Sequence, residues 1–97
     1  MSNPAALKLA RDWASREYSR RSRSDRRHPS FLADEILLEA DEKFGLDSYG
    51  VEGWAISTTK GVSYLNFGDS YDPTIVVETS SSGARFILAM GGWADFA

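Results

Sequence analysis

The sequence predicts an α+β protein: two N-terminal helices packed on one face of a four-stranded antiparallel β-sheet meander. Three observations predict it. Apolar residues recur at three-to-four spacing up to Phe44. After Gly45 the texture changes to glycine, serine, threonine, β-branched and aromatic residues. The links between the later apolar runs are short, which favours antiparallel neighbours. At 97 residues, 42% hydrophobic and 12% aromatic, the chain has one core's worth of material. A single domain over 1–97 is expected, helical over 1–48 and antiparallel sheet over 49–97.

Asn3 before Pro4 is a good helix start, with a capping side chain and then proline in the first turn. The segment 4–19 carries Leu7, Leu9, Ala10, Trp13, Ala14 and Tyr18, and reads as a moderately amphipathic helix anchored by Trp13. Residues 19–28 hold no large apolar side chain and either extend that helix as a solvated end or form a loop. His28 precedes Pro29 and is pushed away from helical torsions, so the chain breaks there. Ser30 is the expected cap of a second helix over 31–44, with Leu32, Ala33, Ile36, Leu37, Ala40 and Phe44 on its apolar face. Gly45 fits the left-handed stop, with Leu46 as hydrophobic closure. Four strands are expected over 51–57, 62–67, 74–79 and 85–90, with turns at Thr59-Lys60-Gly61 and from Ser80 to Gly83. Leu65, Phe67, Ile75, Val77 and Phe86 or Ile87 belong on the face that meets the helices.

The net charge of −3 hides an uneven distribution. Residues 1–30 carry eight basic and three acidic side chains (+5), and residues 31–97 carry three basic and eleven acidic ones (−8). Either the halves neutralise each other within or between copies, or each faces a partner of opposite sign. Arg20, Arg21, Arg23, Arg26 and Arg27 form a basic cluster able to grip phosphates or an acidic protein. The sequence pI near 5 and the lack of interleaved aromatics between 19 and 30 argue against nucleic acid as first choice. Glu35, Glu39 and Glu42 head an acidic run that imitates phosphates or simply forms the polar face of the second helix. These eight residues are the candidate partner-binding set.

Catalytic chemistry has few candidates. The chain has no cysteine, which removes disulfides and thiol nucleophiles, and its one histidine, His28, sits among arginines with no partner motif. Asp69, Asp72 and Glu78 fall short of a calcium loop, and a structured turn from Gly68 to Pro73 is the preferred reading. No enzyme activity, metal or cofactor is expected. No apolar run of membrane-spanning length and no secretory leader is visible, so a cytoplasmic location is expected. Trp93 and Phe96 near the end are either core or anchors for a partner.

The segment Tyr64-Leu65-Asn66-Phe67-Gly68-Asp69-Ser70-Tyr71-Asp72-Pro73-Thr74, with Tyr49 to Trp54 upstream and Trp93-Ala94-Asp95 downstream, resembles small uncharacterised proteins of phages and mobile elements. Those proteins carry a YLN-x-GD-x-Y-x-x-T segment and a terminal W-x-D. The resemblance covers roughly 49–97 and departs at Phe67, Ser70 and Ala94, where threonine, threonine and glycine are expected. It implies a shared sheet module and a mobile-element setting. By analogy of setting, the expected function is stoichiometric inhibition of a host defence complex, such as a CRISPR effector, as anti-CRISPR proteins do. The alternative is a nucleic-acid-binding accessory module using the Arg20 to Arg27 segment. The oligomeric state, monomer or homodimer, stays open.

Overall fold

The computed structural model describes residues 4–46, 52–54, 64–66 and 73–91. The first helix, α1, spans Pro4–Arg21, and the second, α2, spans Pro29–Phe44. Proline opens both, where its missing N–H costs nothing. The expected Asn3 cap lies outside the described residues. α1 runs two residues beyond the expected 19, with Arg20 and Arg21 in its last turn, where cations suit the helix dipole.

α2 starts earlier than expected, and its cap is His28 rather than Ser30. His28 holds an extended conformation (φ −56°, ψ 138°), and its Nδ1 accepts the Ser30 N–H at 3.2 Å. The helix ends as its sequence predicts. Gly45 is left-handed (φ 57°, ψ 55°), and both its N–H and that of Leu46 donate to the Asp41 carbonyl. Leu46 then folds into the core.

Strands β1 (Glu52–Trp54) and β2 (Tyr64–Asn66) pair antiparallel, as do β3 (Thr74–Ser80) and β4 (Gly83–Ala89). The four-stranded antiparallel meander is therefore corrected. Among the described residues the ladders form two separate two-stranded sheets, although β2 passes close to β3. Alternation in sequence tells which side of a strand faces inward, not which neighbour it pairs with. Among the described residues β1 and β2 comprise three residues each, and Pro73, just before β3, has no N–H to donate to a ladder. The expected turn at Thr59-Lys60-Gly61 lies outside the described residues. The β3–β4 hairpin closes at Ser80↔Gly83 around Ser81 and Ser82.

Packing follows from these elements. α1 contributes Leu7, Ala10 and Ala14, and α2 contributes Leu32, Ala33, Ile36, Leu37 and Ala40, against Ile75, Val77 and Phe86 of the hairpin. Trp13, the expected anchor, sits half-buried at the rim and meets Phe44 edge-on with ring centroids 6.0 Å apart. Alanines carry the close contact instead. Tyr18 makes a similar edge contact with Phe86 at 6.2 Å. Both faces of β3 are covered: Thr74 and Val76, on the side away from Ile75 and Val77, are equally buried.

Gly45 gives a clean test. A Cβ added there meets nothing within 4 Å, so its cost is backbone strain alone. Gly45→Ala should destabilise the fold by about 1 kcal/mol, measured as a shift in urea midpoint at unchanged m-value, and Gly45→Asn should cost less.

Candidate interaction surface

Trp13 meets Phe44 and Arg21 meets Glu39, so α1 and α2 run antiparallel, and the C-terminal half of α1 lies along α2. That register brings most of the basic cluster against carboxylates of its own chain. Arg20 donates two bonds back to Glu17, at 2.8 and 3.0 Å. Arg21 bridges Glu17, at 3.3 Å, and Glu39 on α2. Arg27 donates to Asp25 and to Glu35, each at 2.7 Å, and its guanidinium stands 5.8 Å from the Phe31 ring centre. The Asp25 carboxylate also accepts the Arg27 backbone N–H at 3.0 Å, which folds the connection 22–28 into a tight local turn.

The structure thus joins Arg20, Arg21 and Arg27 to acids and brings Glu35 and Glu39 into those pairs. Arg23, Arg26 and Glu42 are exposed and have no ion pair among the described residues. Of the two explanations for the uneven charge, neutralisation within one copy accounts for this part of it. The Arg20 hydrogen bond holds the Glu17 carboxyl down at about 2, and hydrogen bonds from Arg27 lower Asp25 and Glu35. Asp34 goes the other way, raised by partial burial and by its neighbour Glu35.

The remaining candidates are accounted for locally. His28 caps α2 through Nδ1, which lies against the Ser30 backbone N–H and hydroxyl. Glu78 lies opposite Arg85 across the hairpin and accepts its guanidinium at 2.9 Å. Asp69, Asp72, Trp93 and Phe96 lie outside the described residues. Among the described residues no group of three acids or histidines could hold a metal ion. A polar cleft between the connection 22–28 and the β3–β4 turn is lined by Tyr18, Ser22, Asp25, Arg27, Ser81 and Ser82. Its two charged groups face each other, and Asp25 and Arg27 leave no net charge for a ligand.

What sequence reasoning missed is apolar. Phe31 and Leu38 are 56% and 53% exposed, two turns apart on the outer face of α2. Glu35 lies between them and Glu42 just beyond, on the same face. The signal was present: Leu38 follows Ile36 and Leu37, and at about 100° per residue three consecutive positions span about 200°, so all three cannot face the core. On α1, a shallow groove is lined by Ser15, Arg16, Ser19, Arg20 and Arg23.

The chain matches no family model, no curated protein and no solved structure. Among the described residues no helix is long and apolar enough to cross a membrane.

The lowered carboxylates set an acid limb for stability. A group whose folded pKa lies below its unfolded value stabilises the fold above the unfolded value and stops doing so as pH falls through the folded one. For Glu17 that window runs from its ordinary 4.5 down to about 2. The melting temperature should fall across this window, and Glu17→Gln should flatten the fall. An unchanged profile would show that the Arg20–Glu17 pair contributes nothing.

Proposed function

We propose that this protein is a non-enzymatic binding module that acts stoichiometrically, docking on another protein through the outer face of α2. The carrying observation is the pair Phe31 and Leu38, both more than half exposed although the chain buries smaller apolar groups completely. Apolar anchors ringed by charge are the usual make-up of a protein-binding patch. Glu42, which has no ion pair among the described residues, supplies charge at one end of the patch. The unpaired carboxylate favours a basic partner surface.

Inhibition of a host defence complex, with a CRISPR effector as the sharpest version, draws its support from the resemblance of 49–97 to phage and mobile-element proteins. Nucleic-acid binding by the Arg20 to Arg27 segment has less support. Phosphates would have to displace Glu17, Glu35, Glu39 and Asp25 from three of the five arginines.

The test is affinity capture with the tagged full chain, with partners identified by mass spectrometry. A stoichiometric protein partner should be recovered by the parent and lost with Leu38→Asp or Phe31→Ala, both exposed changes that leave the core intact. Recovery of the same partner by both variants, or of nucleic acid alone, would overturn this reading.

A further inference from the structure

The outer faces of the two helices are complementary to each other. α1 presents the shallow groove lined by Ser15, Arg16, Ser19, Arg20 and Arg23. α2 presents Leu38 as a knob, with Glu35 and Glu42 one turn to either side. From the Trp13–Phe44 and Arg21–Glu39 contacts, Arg16 stands at about the height of Glu42, and Ser19 at about the height of Leu38. A two-fold axis parallel to the helices would lay α1 of one copy over α2 of another without changing those heights.

We propose that this face pairs two copies of the chain. Leu38 of each copy enters the groove beside Ser19 of the other, and Arg16 faces Glu42 across the axis, twice by symmetry. Arg16 and Glu42 have no ion pair among the described residues, so each is available. Such an interface is isologous and closes at two. Its size sets its strength. With α1 about 27 Å and α2 about 24 Å long, set about 9 Å apart, the face offers roughly 450 Å² per copy, about 900 Å² in total, just below the usual lower limit for a specific interface. The dimer is therefore a weak, reversible one that dissociates on dilution. It uses the face assigned to the partner above, and so it is a resting state that partner docking displaces.

Sedimentation velocity on the purified full chain tests this apart from any partner, from about 1 to about 500 μM at low and high salt. A dimer should form with concentration and weaken with salt. Arg16→Glu or Glu42→Arg should each weaken it about tenfold. Mixing the two variants should restore it, because the mixed dimer has one native Arg16–Glu42 pair and one pair with its signs exchanged. A chain that stays monomeric throughout, or a mixture no tighter than either variant alone, overturns the proposal. Arg16→Glu leaves the face of α2 intact, so its capture of a lysate partner should persist even as the dimer is lost.

Discussion

The packing of two alanine-bearing helix faces determines most of what this molecule can present to its surroundings. Ala10 and Ala14 on α1, and Ala33 and Ala40 on α2, let the helices and the β3–β4 hairpin approach closely, while Leu7, Ile36 and Leu37 fill the space between. Burying these side chains fixes the rotation of each helix about its axis. Once α2 is turned to bury Ile36 and Leu37, Leu38 has to point outward. Once α1 is turned to bury Ala10 and Ala14, Arg16 and Arg20 have to face solvent. The surface is a consequence of the core, and no separate interaction is needed to expose it.

The ion pairs have a different role. Exposed pairs of this kind typically contribute no more than about 1 kcal/mol each, against 2–5 kcal/mol for a core leucine. Arg21–Glu39 and Arg27–Glu35 therefore trim the register of α1 on α2 and do not hold the layer together. Their larger effect is on recognition. By joining two arginines to two glutamates, they leave both the basic cluster and the acidic run weaker than the sequence suggests. A row of carboxylates imitating phosphates needs those charges free, and so does an arginine clamp on nucleic acid. Of the basic cluster and the acidic run, Arg23, Arg26 and Glu42 have no ion pair among the described residues, and neither does Arg16 nearby on α1.

Features governed by local chemistry were legible in the sequence, and features governed by distant neighbours were not. The stop at Gly45–Leu46 could be read directly, because a left-handed glycine followed by a buried leucine is a contiguous signal. The apolar face of α2 was legible for the same reason. The cap of α2 was misassigned because serine is the commoner capping residue, whereas here the histidine one place before Pro29 accepts the N–H of Ser30 itself. The hairpin pairings β1–β2 and β3–β4 follow the expected chain order, but whether β2 joins β3 was out of reach, since alternation along a strand does not say which neighbour it pairs with. The candidate site split along the same line. Its charged residue types were visible, but Arg21 and Glu39 stand eighteen positions apart, and only the register of α1 on α2 shows that they meet.

An exposed apolar pair is ordinarily an aggregation hazard, and the placement of charge around Phe31 and Leu38 limits it. Glu35 separates the two apolar side chains, and the Arg27 guanidinium leans over the Phe31 ring, so no continuous oily stripe forms along α2. A partner that binds more tightly than a second copy must bring apolar surface at two points one heptad apart, which the serine- and arginine-lined face of α1 lacks, and tolerate carboxylates between and beyond them. A flat hydrophobic surface meets the first condition and fails the second, because it would desolvate Glu35 and Glu42 without compensation. A helix whose apolar positions alternate with basic ones meets both. The same side chains that keep the face soluble thereby select what may cover it.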